Sequence, residues 1–136
     1  MSEYEAKAPM LDELLSLDPT EWQGRDCIAL DWYDGPREGF CRLARPAVEF
    51  YFTLLDERPD PDGVDDRLFA VHALPLGAGD QLDWTERHPH SSDAIIASAT
   101  PTDIVVYTKD MMHFLGCWRV SEDERPADDW FAHLGM

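Results

Sequence analysis

Val48-Glu49-Phe50-Tyr51-Phe52-Thr53-Leu54 sets large apolar side chains against Glu49, Tyr51 and Thr53 in strict alternation. A period of two is that of a β-strand with one face on a core and the other in water. Working outward, Cys27-Ile28-Ala29-Leu30-Asp31-Trp32-Tyr33 alternates in the same way, with Ile28, Leu30 and Trp32 on one face and Asp31 and Tyr33 on the other. Asp34-Gly35-Pro36 breaks that run, and Phe40 to Leu43 is the expected returning strand, followed by a turn at Arg45-Pro46. The three runs predict an antiparallel meander with one solvated face. A fourth strand, Leu68 to Leu74, is expected after a loop holding Pro59, Pro61 and Gly63, and Ile104 to Thr108 and Phe114 to Val120 read as two further strands.

Helical spacing is confined to short segments. Leu11, Leu14, Leu15 and Leu17 recur at helical intervals, and Asp18-Pro19-Thr20-Glu21 has the order of an N-cap, a first-turn proline and a capping-box glutamate. A short helix is expected from about Asp80 to Arg87, and Ser91-Ser92-Asp93 before Ile95 and Ile96 suits either a capped helix or a strand. Pro126 is expected to open a last helix with Asp128 and Asp129 in its first turn and Gly135 at its stop. The fold class expected is α+β: a single domain over residues 1–136, with an antiparallel sheet of about five or six strands and short N- and C-terminal helices packed on one face.

The composition excludes several function classes. The 136 residues hold 28 Asp and Glu against 11 Lys and Arg, a formal charge of −17. Such a chain repels polyanions, so direct binding of nucleic acid or of an anionic membrane surface is not expected. Met1-Ser2-Glu3-Tyr4-Glu5 lacks the basic and apolar stretches of a signal peptide, which makes the cytoplasm the expected location. Cys27, Cys41 and Cys117 form an odd set with no close pair in sequence, as expected of reduced core thiols rather than a disulfide framework.

Motifs for chemistry are missing or incomplete. Asp60-Pro61-Asp62-Gly63-Val64-Asp65-Asp66 resembles a calcium loop only until Gly63 is aligned, when Arg58 and Phe69 fall where carboxylates belong. His88-Pro89-His90 lacks further ligands nearby. No Gly-x-Ser-x-Gly elbow or phosphate loop occurs. No catalytic residue, metal or cofactor is therefore expected.

What remains is the distribution of charge. Segments 1–21, 56–66 and 121–129 together carry fourteen of the seventeen net negative charges. Clustering of this kind suits steering of a basic protein partner. The expected partner-facing residues are Asp31, Tyr33, Asp34, Glu49, Tyr51 and His72 on the solvated face, Asp60, Asp62, Asp65 and Asp66 in the loop, and Glu122, Asp123 and Glu124 before the last helix. The composition is that of small acidic inhibitors, immunity proteins and DNA mimics among other binding modules. Two alternatives stand beside this one. A small enzyme or ligand-binding domain would place His72 or His113 against a carboxylate in a deep aromatic-lined cavity, and a subunit of a larger assembly would expose Trp130 and Phe131.

Overall fold

The alternating runs become six strands in a computed structural model that describes residues 11, 13–32, 36–75, 77–82, 84, 92–111 and 113–136. They are β1 (Gln23–Trp32), β2 (Pro36–Arg45), β3 (Glu49–Arg58), β4 (Asp66–Ala73), β5 (Thr100–Thr108) and β6 (Phe114–Arg119). All neighbours are antiparallel, and the spatial order equals the chain order. Each strand thus pairs with the next in sequence, as short turns allow. Gly39 lies in β2 opposite Ala29, where a Cβ would stand 1.9 Å from the Ile28 carbonyl oxygen. Only glycine lets the two backbones approach so closely there.

One face of the sheet carries Cys41 and Leu43 of β2, Phe50 and Phe52 of β3, Phe69 and Val71 of β4, Ile104 and Val106 of β5 and Phe114 of β6. Leu11, Leu14 and Trp22 close this core from the N-terminal side, where residues 13–16 are helical. The sheet curls over it: Trp22, just before β1, meets Phe114 of β6 with ring centroids 5.1 Å apart. Phe50, Phe52 and Phe69 are each fully buried, which stabilises the fold by about 1.5–3 kcal/mol per side chain.

The opposite face is covered as well. Ile28, Phe40 and Tyr51 lie under Leu74, Ala78, Leu82 and Ile95, and Leu68 and Val105 lie under Val120, Trp130 and Phe131. The α+β class and the antiparallel sheet agree with the sequence reading, but the helices do not share one face. The N-terminal helical turn caps the curled side, whereas α1 (Ser92–Ser98) and α2 (Trp130–His133) belong to the other side. The reason is visible in β4, whose residues 66–71 are all buried. A strand covered on both faces has a continuous apolar run, and Leu68-Phe69-Ala70-Val71 is one.

Local details differ from expectation in ways that follow from short segments. Ala78–Gln81 forms a single 3-10 turn where a longer helix was expected, and residues 83 and 85–87 of that expectation lie outside the described ones. The ambiguous segment through Ile95 and Ile96 is helical. Asp18 does accept from the Thr20 N–H, at 3.0 Å, but the element it caps is the 3-10 turn Pro19–Glu21. The last helix begins only at Trp130, so Asp128 and Asp129 precede it.

Candidate functional site

The covered second face leaves a strip between its two apolar clusters. Cross-strand register determines what lies in it: Asp31 is opposite Glu38, and Glu38 is opposite Thr53. Irregularities in β1 around Asp31, and in β3 between Leu54 and Asp56, turn the ends of these strands and re-aim their carboxylates. A groove of about 580 Å³ results, lined by Asp31, Arg37, Glu38, Thr53, Leu54, Leu55, Asp56 and Glu57. A second, of about 560 Å³, is lined by Asp56, Glu57, Arg58 and Pro59 together with Asp128, Asp129, Phe131, Ala132 and Met136. The two share Asp56 and Glu57, so they adjoin.

Six carboxylates and two guanidiniums line the joined grooves. Some are already engaged. Asp56 Oδ2 accepts from the Trp130 N–H at 3.1 Å, supplying the helix-start bond that the Asp129 side chain does not make. Glu57 receives Arg37 at 3.0 Å and lies 3.6 Å from the buried Arg67 guanidinium. Asp31, Asp128 and Asp129 are exposed. The Tyr51 hydroxyl donates to Glu38. Burial first, and then the Glu38 carboxylate, push the Tyr51 phenol well above its usual range.

The expected partner-facing residues are distributed unevenly over this arrangement. Asp31 lies in the first groove. Tyr33 and Asp34 fall outside the described residues. Tyr51 is buried, and His72 is half-buried with its ring 5.2 Å from that of Tyr51 and its Nε2 3.1 Å from the Thr53 hydroxyl. The solvated face expected for them is in fact largely covered by Leu74, Ala78, Leu82 and Ile95. Burial, followed by the nearby Arg125 charge, lowers the His72 pKa. Glu49 is half-buried beneath Gly79, where its Oε2 has no hydrogen-bond partner. Burial and the charge of Asp80 raise its pKa.

The loop acids turn inward. Lys109 Nζ lies 2.7 Å from Asp60 and 3.0 Å from Asp66, and Asp66 also accepts from Arg58 at 3.1 Å and from the Tyr107 hydroxyl at 2.8 Å. Asp65 faces Arg67 at 3.9 Å, while Asp62 stays exposed. Most of this cluster's charge therefore holds the loop against β4 and the β5–β6 turn. Glu122, Asp123 and Glu124 form an exposed 3-10 turn in which Glu124 accepts from the Ser121 hydroxyl at 2.8 Å. Glu122 lines a smaller recess with Thr102, Asp103 and Arg125.

Sequence reasoning missed Glu38, Asp56, Glu57, Asp128 and Asp129 as groove residues. Glu38 follows the Asp34-Gly35-Pro36 break in sequence, but only register places it beside Asp31 and Thr53. Trp32, expected on the apolar face, is 68% exposed; it ends β1, just past pairing that is irregular on both sides of Asp31 and interrupts the alternation.

The two alternatives fare differently from the groove. His72 meets a hydroxyl rather than a carboxylate, and His113 meets Asp110 at 2.8 Å on a turn where its side chain is 83% exposed. Trp130 and Phe131, expected at an assembly interface, are each only 5% exposed, so that surface is already used by the fold. Among the described residues no group of three or more His, Cys, Asp or Glu is placed to hold a metal ion, and no helix is long and apolar enough to cross a membrane. The His88-Pro89-His90 cluster lies outside the described residues. No protein-family model, curated protein or solved structure matches the chain.

Proposed function

We propose that this protein is a non-catalytic binding module whose joined acidic grooves receive a basic segment of a protein partner. The observation that carries the reading is the meeting of acids from three separate stretches, Asp31 with Glu38, Asp56 with Glu57, and Asp128 with Asp129, along two adjoining grooves with only Arg37 and Arg58 among them. Open, charged troughs of this size suit an extended chain of Arg and Lys side chains better than an enclosed small molecule. The net charge of −17 adds long-range attraction that accelerates encounter with a basic partner. Occupying the nucleic-acid site of a basic protein, as an immunity-like inhibitor or DNA mimic does, is one form this binding takes.

The test is affinity purification from the native cell at low salt, with mass spectrometry, using the natural chain and a variant with Asp31→Asn, Asp128→Asn and Asp129→Asn. All three side chains are exposed, so the variant keeps the fold. A basic protein is expected with the natural chain, and its affinity for the variant falls about tenfold, as three exposed charges worth about 0.5 kcal/mol each imply. Partners of neutral or acidic character, or binding indifferent to salt and to the three substitutions, would overturn the proposal.

A further inference from the structure

The fourteen-residue separation of Cys27 and Cys41 hides a contact that the sheet creates: the register of β1 and β2 sets them directly opposite one another. Opposed residues of an antiparallel pair have Cα atoms about 4.5 or 5.5 Å apart, according to their place in the hydrogen-bond ladder. Disulfides span Cα separations of about 4.4–6.8 Å, so either alternative lies within reach. Opposed side chains also leave the sheet on the same face, and both thiols pack with the core of the curled side. Cys41 is fully buried and Cys27 half-buried, which leaves Cys27 as the sulfur a small reagent meets first. Cys117 is opposite Val106 on another pair of strands.

We propose that Cys27 and Cys41 form an oxidative modification site, a cross-strand dithiol that a low-molecular-weight disulfide converts to a disulfide bond. Cys27 Sγ, as thiolate, attacks one sulfur of the reagent, whose S–S bond breaks; one thiol departs carrying the proton that Cys27 gave up. Cys41 Sγ then attacks Cys27 Sγ, the mixed disulfide breaks, and the second thiol leaves with the proton from Cys41. The protein loses two hydrogens and the reagent is reduced to two thiols, so electrons and atoms balance.

Two local consequences follow. The Cys41 thiol, which donates to the Met111 carbonyl at 3.8 Å, is lost as a donor to the β5–β6 turn. The new bond also fastens β1, an edge strand that carries Asp31 of the acidic groove, to β2. The reaction is slow at neutral pH, because burial and the nearby Asp110 charge push the Cys27 thiol up to about 12, and burial holds Cys41 protonated too. The site therefore responds to sustained oxidising conditions rather than to a brief pulse.

The full chain is incubated with glutathione disulfide across a range of pH, remaining thiols are alkylated, and intact mass and peptide maps are read. Expected are a loss of two hydrogens, a Cys27–Cys41 linked peptide, an unmodified Cys117, and a rate that rises about tenfold per pH unit while the thiol remains mostly protonated. With Cys41→Ser the reaction stops at glutathione on Cys27. The natural chain decides the matter by itself: glutathione left unresolved on Cys27, a link through Cys117, or three alkylatable cysteines after exhaustive treatment would each overturn the proposal.

Discussion

Replacing Asp66 by Asn tests whether the loop acids are structural. Asp66 is 7% exposed and its carboxylate collects Tyr107 at 2.8 Å, Lys109 at 3.0 Å and Arg58 at 3.1 Å. A hydrogen bond to a charged group contributes about 1.5–3 kcal/mol when it is shielded. The Arg58 and Lys109 side chains are 43% and 34% exposed and recover water when released, so each adds only a few tenths of a kcal/mol. With the Tyr107 bond weakened from charged to neutral, the loss comes to about 2 kcal/mol, or about 8 °C in Tm for a domain of this size.

The pH dependence of that loss follows from the sign of the shift. Burial pulls the Asp66 pKa upward, but the bonds from Tyr107, Lys109 and Arg58 outweigh it and leave the group below its ordinary value. Stability from a carboxylate so depressed is complete above the unfolded value of about 3.9 and is lost as pH falls through the folded value. Thermal and urea unfolding followed by circular dichroism at neutral and acid pH should therefore show a gap between the natural chain and Asp66→Asn that closes in acid. A gap below about 0.5 kcal/mol at neutral pH, the ordinary range for surface changes, would refute the argument. So would a gap that persists undiminished once both states are protonated.

Other expectations follow from single contacts. Gly39→Ala should cost about 3 kcal/mol or more in urea unfolding, since its Cβ meets the rigid Ile28 carbonyl oxygen at 1.9 Å and β1 and β2 must separate to admit it. Glu49→Gln should raise stability at neutral pH by about 1 kcal/mol, because the carboxylate with a raised pKa costs most when ionised; the gain disappears as pH falls and Glu49 protonates. Trp32→Ser should change stability by less than about 0.5 kcal/mol in the same assay, given a side chain 68% exposed.

How much of this could be read from the chain alone differs from segment to segment. Val48 to Leu54 announced β3 because alternation is a local property, recorded in consecutive residues. The same reading placed Tyr51 and His72 in water, since alternation says which residues share a face and nothing about what arrives from elsewhere to cover it. Leu74, Ala78, Leu82 and Ile95 do the covering, and the short segments that bring them carry too few residues for a periodic signal. Trp32 failed for a related reason: the pairing of β1 with β2 is irregular on both sides of Asp31, and a local irregularity of that kind leaves no periodic mark in the sequence.

The acids show the same division. Their number and their grouping into three segments are properties of the chain, and with them comes the expectation that it repels polyanions. Which of them face a partner is decided by packing. Asp60 and Asp66 turn toward Lys109, which is distant in sequence, whereas Asp31, Asp56 and Asp128 come together along the grooves. Strand content, the antiparallel class of the sheet and the overall charge could be read from the chain alone, because local periodicity and composition suffice for those; the order of all six strands could not. Cross-strand register and the cover on the second face decided where the carboxylates converge and that Cys27 meets Cys41, because both depend on contacts between residues far apart in the chain.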